Sequence, residues 1–235
     1  MFDSKNFKYK FNLNGNIKLG SMAVWSTLKG ATPIYIQEMG KSIVGTCGNC
    51  ADCEDACYVN ASYRYPSVKF SHARNTLGLR ECPQKVFADL DDQLTFHEKP
   101  GKKPIELVRI NQSGELENNA EFESWVNLAL KHEGTRFYIY TKRYDIVSPY
   151  IKENGLPKNF HVLYSVWHDT GKVEYEEVKD IPGVHAFVYD DGVVGIKPDV
   201  YCPAYKDGKL DHEMTCNKCG LCFKSKVKAI GCHAH

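Results

Sequence analysis

Two cysteine runs constrain this chain more than any other feature, because the fold must bring each run to the group that its thiols hold. The first run has the spacing C-x2-C-x2-C-x3-C, and the second has the spacing C-x2-C-x2-C. Nine of the ten cysteines form these runs or lie near the second one: Cys47, Cys50, Cys53, Cys57, Cys202, Cys216, Cys219, Cys222 and Cys232. The first spacing is typical of bacterial ferredoxins, in which one loop supplies three thiolates to a 4Fe–4S cluster. The runs therefore predict one or two 4Fe–4S clusters, with these nine cysteines as metal ligands.

The spacing leaves open which cysteines share a cluster. In two-cluster ferredoxins the fourth cysteine of the run binds the other cluster, so Cys57 could join the second run while Cys202 or Cys232 completes the first. Two self-contained sets of four fit the spacing equally well. A structural zinc site is the alternative, since two C-x2-C pairs are enough for a tetrahedral zinc. The third cysteine of each run is superfluous for one zinc, and this surplus favours clusters.

Three further residues have two interpretations each. Cys82, which precedes Pro83, is either another ligand or a buried thiol, a common environment for cysteine. His233 and His235 at the C-terminus are either imidazole ligands or solvated side chains.

The composition fits one globular domain and excludes some classes of protein. Of 235 residues, 43% are hydrophobic and 25% are charged, which is enough for a sizeable core. The formal net charge of +1 excludes a global polyanion-binding signature. The chain has neither a stretch of roughly 20 apolar residues that would span a bilayer nor the apolar region of a signal peptide at its start. We therefore expect a cytoplasmic protein without membrane contact, whose clustered thiols are metal ligands rather than disulfides.

The pattern of apolar residues predicts alternating strands and helices over most of the chain. The predicted strands are IELVRINQ, RFYIYT, FHVLYSVW and VHAFVYD, and the predicted helices cover 54–64, 71–79, 84–90, 119–132 and 145–153. The segment 97–104 is a predicted linker, rich in Pro, Gly and Lys. Such alternation indicates an α/β fold with a mainly parallel sheet and right-handed crossovers. We expect a single domain over 1–235, with an N-terminal cluster loop at 44–64 and a C-terminal cysteine-rich segment at 200–235.

Polar residues follow each of the four predicted strands. These ends are Ser113-Gly114-Glu115, Thr141-Lys142-Arg143, Trp167-His168 and Asp190-Asp191. In parallel sheets, functional groups gather at the C-terminal ends of the strands. The alternative is that polar residues follow strands because connections run over the surface.

Three of these residues are candidate catalytic groups. Glu115 would bind an ammonium group or act as a base, Lys142 would hold an anionic group, and His168 would transfer a proton near neutral pH. The alternative is that Glu115 only favours the start of the following helix. Lys142 and His168 would then be solvated.

Several segments, taken in order, resemble the gene product 88 family of bacteriophage proteins. They are Asn16-Ile17-Lys18-Leu19-Gly20, then Ala31-Thr32-Pro33 with the first run closing on Cys57-Tyr58, then VRINQSGEL, Trp125 and FYIYTK, and finally Cys202-Pro203 with the second run. The resemblance covers nearly the whole chain. It implies a partial (β/α) barrel similar to the core of radical S-adenosylmethionine enzymes, with Ser113, Gly114 and Glu115 binding the amino group of S-adenosylmethionine. For a phage-encoded protein it also implies the host cytoplasm.

The cysteine spacing differs from that of the radical enzymes, whose C-x3-C-x2-C loop leaves one iron open for the cofactor. Here Cys53 and Cys57 have the first gap, but Asn60 stands where the third cysteine would be. If all four cysteines of the first run bind one cluster, no iron is open. If Cys57 binds elsewhere, one iron is open.

Two functions of different classes follow from these observations. The first is an iron–sulfur enzyme, radical-SAM-like or redox, that acts on a nucleotide, a nucleic acid or a small cofactor. The second is a non-catalytic, metal-stabilised nucleic-acid-binding protein, since basic residues lie near aromatic ones around 58–70 and beside the second run. The basic residues in question are Arg74, Arg80, Lys224, Lys226 and Lys228. Simple electron transfer also suits the ferredoxin-like spacing, but it needs far less protein than this chain contains.

Overall fold

A parallel seven-stranded sheet forms the centre of the fold. The computed structural model describes residues 3–13, 19, 22–48, 57–167, 170–190, 195–206, 209–211, 213–223 and 226–233. Across the sheet, the strands lie in the order β1 (Ala23–Val24), β4 (Leu107–Ile110), β5 (Arg136–Thr141), β6 (Phe160–Val166), β7 (Val184–Asp190), β11 (Ala229–His233) and β8 (Val200–Tyr201). All neighbouring pairs in this sheet run parallel. The predicted α/β class and the mainly parallel sheet are therefore confirmed.

Two short antiparallel hairpins lie outside the sheet and lead into the cysteine runs. The first pairs β2 (Pro33–Ile36) with β3 (Lys41–Val44), and the second pairs β9 (Tyr205–Lys206) with β10 (Lys209–Leu210). Gly40 lies between the first two strands at φ 62°, a left-handed conformation that glycine adopts without steric cost. The hairpin therefore delivers the chain to the first cysteine run at a defined position.

The described helices begin and end for local reasons. Pro66 and Pro83 occupy the first turns of two of them, where a missing N–H costs nothing, and the Asn118 side chain accepts a hydrogen bond from the Glu121 N–H at 2.9 Å to cap another. The helices are α1 (Val59–Ser62), α2 (Pro66–Glu81), α3 (Pro83–His97), α4 (Asn119–Lys131), α5 (Tyr144–Asn154), α6 (Lys172–Glu176) and α7 (Cys216–Cys219). Short 3-10 helices cover Ser4–Asn6, Gln37–Met39 and Leu221–Phe223.

The predicted elements recur with shifted bounds. Helices predicted at 71–79 and 84–90 are α2 and α3, and both are longer because tertiary packing continues past the apolar stretch that marked them. The helix predicted at 145–153 is α5, which is one residue longer at each end and contains Pro149. Of the helix predicted at 54–64, residues 57–64 are described, and α1 is the helical part of them. Residues 54–56 lie outside the described residues. The sequence reading missed α6 and the short strands β8 to β11, which carry too few residues to show a period.

The connecting helices pack on one face of the sheet. Alternate side chains of β4 to β7 form one apolar cluster with residues of α3, α4 and α5, including Val108, Phe137, Val162 and Val184 from the strands and Val86, Leu90, Trp125, Phe122, Val147 and Ile151 from the helices. Strands β4 to β7 are adjacent both in the chain and in the sheet. Right-handed crossovers that always advance in one direction place every connecting helix on the same face.

Among the described residues, the other face of the sheet has no such helix layer and packs against residues of the C-terminal segment. The remaining alternate side chains, Leu107, Tyr138, Leu163 and Ile230, form a second cluster with Phe223. Partly buried residues that pack against this cluster include Cys202, Cys216 and Cys222. The sequence alternation of the strands therefore separates a helix face from a cysteine face.

The sheet is open as far as the chain is described. Strands β1 and β8 stand at its two edges, and no pairing between them is found among the described residues. A closed barrel is therefore not formed by this part of the chain. The partial barrel and the likeness to the radical SAM core stay predictions. No helix in the described ranges has the length and apolar character required to cross a membrane.

Candidate functional site

The carboxyl ends of the sheet strands open into a cavity of about 1520 Å³. Residues after β4, β5 and β6 line it, together with side chains at the ends of β7 and β11: Ser113, Gly114, Glu115, Lys142, Trp167, Tyr189 and Cys232. The predicted gathering of polar strand ends is thus seen in the structure for Glu115 and Lys142. His168 and Asp191 lie outside the described residues.

Both cysteine runs reach this one cavity. Seven described cysteines line it: Cys47, Cys57, Cys202, Cys216, Cys219, Cys222 and Cys232. Cys50 and Cys53 lie outside the described residues, so the middle of the first run is not placed. The two ends of the chain are therefore brought to the same site by the fold.

Cys82 lies away from this cavity. It stands between α2 and α3, its Sγ lies 3.5 Å from the Ser4 carbonyl oxygen and 3.8 Å from the Tyr9 hydroxyl, and it packs against the helix-face core. Cys82 is half-buried, and its contacts are those of a structural thiol rather than of a ligand at the cavity.

The first cysteine run begins where two loops approach closely. The Gly30 N–H donates to Cys47 Sγ at 3.2 Å, and the Cys47 N–H donates to the Gly30 carbonyl at 3.3 Å. A Cβ on Gly45 would overlap the carbonyl oxygens of Lys29 and Gly30, so only glycine permits this approach. Backbone N–H groups directed at sulfur are the contacts that tune cysteine ligands of iron–sulfur clusters.

The second run combines a single helical turn with a strand. Cys216 and Cys219 are three residues apart in α7 and share one helix face, and Gly220 ends that turn in a left-handed conformation. Cys232 lies on β11, inside the sheet, and is only 6% exposed. The Tyr140 hydroxyl lies 2.9 Å from Cys222 Sγ. Burial raises the pKa of the Cys222 thiol to about 12, so metal binding there would release a proton.

The donor chemistry fits a thiolate-bound metal group, but the described thiols are not gathered into a finished set. No three His, Cys, Asp or Glu side chains in the described part of the chain lie close enough together to hold one metal ion. The first run would complete such a set only with Cys50 and Cys53. The side chains of His233 and His235 lie outside the described part of the chain, so their predicted roles as ligands stay predictions.

Glu115 links the ends of β4 and β5. Its carboxylate accepts hydrogen bonds from the Thr141 hydroxyl at 2.7 Å and from the Lys142 N–H at 3.0 Å, and its own N–H donates to Thr46 Oγ1 at 2.8 Å. Burial raises the pKa of Glu115, although the hydrogen bonds from Thr141 and the Lys142 N–H oppose the shift. The role of starting the next helix belongs to Asn118 and Glu121, not to Glu115.

The glycine before Glu115 is required by the packing around it. Gly114 has φ 79°, and a Cβ there would overlap the hydroxyls of Thr27 and Thr46. These two hydroxyls are hydrogen-bonded to each other at 2.9 Å in a buried position. The segment predicted to bind an amino group is therefore held rigidly at the cavity wall.

Lys142 and Trp167 bring together the ends of β5 and β6. Lys142 Nζ lies 4.8 Å from the centre of the Trp167 ring, a cation–π distance, and Trp167 stacks on Tyr189 with the rings 4.0 Å apart. The ammonium group is thus positioned by an aromatic surface at the cavity, rather than extended into bulk water.

Two cavity residues on and directly after β4 were not predicted from the sequence. Arg109 lies on β4, with its guanidinium 4.5 Å from the centre of the Tyr140 ring. Asn111 follows β4 at φ 49° and is 4% exposed. The sequence contained one signal for Arg109, because an arginine inside the apolar strand Leu107–Ile110 is rare at a purely structural position.

The basic residues considered for nucleic-acid binding are mostly engaged in the fold. Arg80 forms an ion pair with Glu117, Arg74 lies 4.4 Å above the Phe7 ring, and Lys228 Nζ donates to the Lys179 carbonyl at 2.8 Å. Lys224 lies outside the described residues. These contacts scatter the charges over several elements rather than aligning them along one groove.

A second cleft of about 770 Å³ lies between α3 and α4 on the helix side. Glu121 lines it and accepts hydrogen bonds from the Glu117 N–H at 2.9 Å and from Trp125 Nε1 at 3.4 Å. Burial raises the pKa of Glu121 to about 7. No cysteine lines this cleft, so it is separate from the cysteine-lined cavity in the part of the chain described.

Comparison with known proteins gives one family. Residues 9–225 match the family described as Gene product 88. No curated protein and no solved structure matches the chain.

Proposed function

The chain belongs to the gene product 88 family, and on that premise we propose that it is an iron–sulfur enzyme whose two cysteine runs hold one or two 4Fe–4S clusters beside a reaction site. One observation carries this proposal: seven cysteines from both runs line the same cavity as Glu115 and Lys142. A protein that only transfers electrons needs shielding for its cluster, not a large cavity with ionisable strand ends. The arrangement therefore favours an enzyme over an electron carrier.

The residues present suit a cluster in their chemistry. Thiolates are the soft ligands that iron–sulfur clusters take, and the Gly30 N–H directed at Cys47 Sγ is a contact that lowers the electron density on such a ligand. When bound, a 4Fe–4S cluster supplies one-electron redox chemistry. Cys47, Cys50, Cys53 and Cys57 would hold the first, and Cys202, Cys216, Cys219, Cys222 and Cys232 supply ligands for a second.

The strand-end residues would carry out the remaining work. Glu115 is held in place by Thr141 and the Lys142 N–H, and burial raises its pKa, which suits a proton acceptor; an ammonium group of a ligand would favour its charged form. Lys142 would pair with an anionic group of the substrate. S-adenosylmethionine is the additional cofactor proposed, with its amino group at Ser113, Gly114 and Glu115.

Iron and sulfide analysis of the full chain, purified without oxygen, tests the proposal. We expect a brown protein with iron and sulfide in equal amounts, and electron paramagnetic resonance of the reduced protein should change on addition of S-adenosylmethionine if one iron is open. Cys219→Ser should lower the iron content, because it removes a cavity thiol. Cys82→Ser is the matched control, since Cys82 lies away from the cavity.

Two results would contradict the proposal. A colourless protein with stoichiometric zinc would move the chain to the metal-stabilised binding class, which salt-dependent binding of single-stranded DNA would support. Equal iron content in Cys219→Ser and wild-type protein would remove the second run from the metal site.

A further inference from the structure

Asn111 is a buried polar side chain without a partner in the described protein. It lines the cysteine-lined cavity at 4% exposure, and neither its Nδ2 nor its Oδ1 has a hydrogen-bond partner. Leaving a buried donor or acceptor unpaired destabilises the folded state. An amide that presents both a donor and an acceptor to a cavity is matched to a ligand edge that offers the complementary pair.

Arg109 supplies a positive charge beside this amide. It lies two residues before Asn111, its buried Nε has no hydrogen-bond partner, and no carboxylate in the described residues forms an ion pair with it. The Tyr140 ring, 4.5 Å away, compensates part of the charge but occupies only one side of the planar guanidinium. The donor edge of the guanidinium suits the bidentate pairing that arginine makes with phosphate and carboxylate.

Aromatic rings form the nearby walls of the cavity. The Tyr140 and Phe187 rings lie 5.0 Å apart in an edge contact, and Trp167 and Tyr189 stack at 4.0 Å with an interplanar angle of 10°. All four line the cavity. Aromatic side chains are the surfaces on which nucleobases stack.

We propose that the cavity binds an adenine nucleotide, with its phosphate on Arg109 and its base edge on Asn111. The amide of asparagine pairs bidentately with the N6–H donor and N7 acceptor of adenine, whereas cytosine presents its N4–H donor and N3 acceptor on a smaller ring and at a different position relative to the phosphate. This inference deepens the proposed function by naming the substrate class for the same site. It does not require iron for the binding step.

Binding of adenosine monophosphate to the full chain, purified without oxygen, tests the inference, with adenosine and cytidine monophosphate as comparison probes. We expect adenosine monophosphate to bind at least about tenfold more tightly than either. Arg109→Lys keeps the charge but loses the planar fork, so it should weaken adenosine monophosphate about tenfold and leave adenosine unchanged. Arg80→Lys removes a guanidinium outside the cavity and should change neither.

Asn111→Gly separates a ligand-binding role from a structural one. Glycine accepts φ 49° without strain and removes two unpaired buried atoms, so the variant should melt at an equal or higher temperature. Its preference for adenosine over cytidine monophosphate should nevertheless fall about tenfold. If Asn111 served only stability, Asn111→Gly would melt at a lower temperature and keep its preference for adenosine monophosphate.

Three results would overturn the inference. They are no binding of any of the three probes to folded protein, an Arg109→Lys variant that binds adenosine monophosphate as tightly as wild type, and an unchanged base preference in Asn111→Gly. Binding of S-adenosylmethionine without any binding of adenosine monophosphate would assign these residues to the cofactor and also count against it. Iron measured on the same samples shows separately whether the proposed function has failed.

Discussion

The helix face and the cavity face of the sheet are built from the same strands but differ in what they leave unpaired. On the helix face, Trp125 is fully buried among Trp25, Phe11 and Phe87, with ring centroids 4.9–6.4 Å apart across this aromatic group. On the cavity face, Arg109 and Asn111 have buried polar atoms without partners. Apolar contacts dominate the helix face, where Trp25 Nε1 is one buried polar atom without a partner among the described residues, whereas the cavity face carries several such atoms.

The two faces therefore differ in function: one contains residues that stabilise the fold, and the other contains residues that are available to bind a ligand. Apolar burial on the helix face contributes most of the stability, since fully buried aromatic side chains each contribute a few kcal/mol. Polar groups held at a cavity cost stability and are kept where a ligand uses them. Substitutions on the helix face should therefore change unfolding, and those on the cavity face should change binding first.

Trp125→Ala should have the largest effect on stability. Removing this buried ring leaves a cavity among three other aromatic side chains, so we expect the free energy of unfolding to fall by about 3–5 kcal/mol. Urea unfolding followed by fluorescence measures it. Leu130→Ala on the same helix is the control, because Leu130 is 55% exposed and should change stability by about 0.5 kcal/mol or less. A loss below about 1 kcal/mol for Trp125→Ala would contradict the picture of the helix face.

Glu121 should make the helix face sensitive to pH. Burial raises its pKa from 4.5 to about 7, so the folded state favours the protonated acid. Its contribution is fully present below pH 4.5 and is lost as the pH rises through 7, by about 3 kcal/mol in total. Unfolding measured between pH 5 and 8 should show this decline in wild type relative to Glu121→Gln. Parallel pH profiles for the two proteins would exclude Glu121 as the source.

Thr141→Val tests the strand ends on the cavity side. The valine keeps the shape but removes the hydroxyl that donates to Glu115 at 2.7 Å, and also the acceptor for the Arg143 N–H at 2.9 Å. We expect a loss of about 1–3 kcal/mol, because the buried Glu115 carboxyl and the Arg143 N–H both lose a hydrogen-bond partner. Thr135→Val is the control, since the Thr135 hydroxyl donates only to the Ile105 carbonyl. Equal losses of stability in Thr141→Val and Thr135→Val would show that the hydrogen bond to Glu115 contributes no more than one to a backbone carbonyl.

Lys85→Ala should have the smallest effect. Lys85 pairs with Asp89 at 2.7 Å one turn along α3, and i,i+4 helix pairs of this kind contribute about 0.5 kcal/mol or less. Asp89→Ala should cost more, because the same carboxylate also accepts from the buried Tyr9 N–H at 2.9 Å. The difference between the two variants, measured by urea unfolding at low and high salt, shows how little of the helix-face stability depends on surface charge.

Local patterns in the sequence predicted the sheet well. The alternation in RFYIYT and FHVLYSVW recurs as β5 and β6, and the polar strand ends line the cavity for Glu115 and Lys142. Strand β11 was not predicted, although it places Cys232 inside the sheet between β7 and β8. Five residues beside a cysteine run carry too weak a period to be separated from a loop.

The sequence by itself determined the α/β class, the strand ends and the cysteine spacing, because period, turn residues and ligand spacing are local properties. Only the tertiary structure decided that thiols from both ends of the chain reach one cavity and that Cys82 does not. It also decided that Arg109 and Asn111 face that cavity unpaired. Such proximity depends on which strands pair and which face each side chain occupies, and those are set by the packing of the whole sheet.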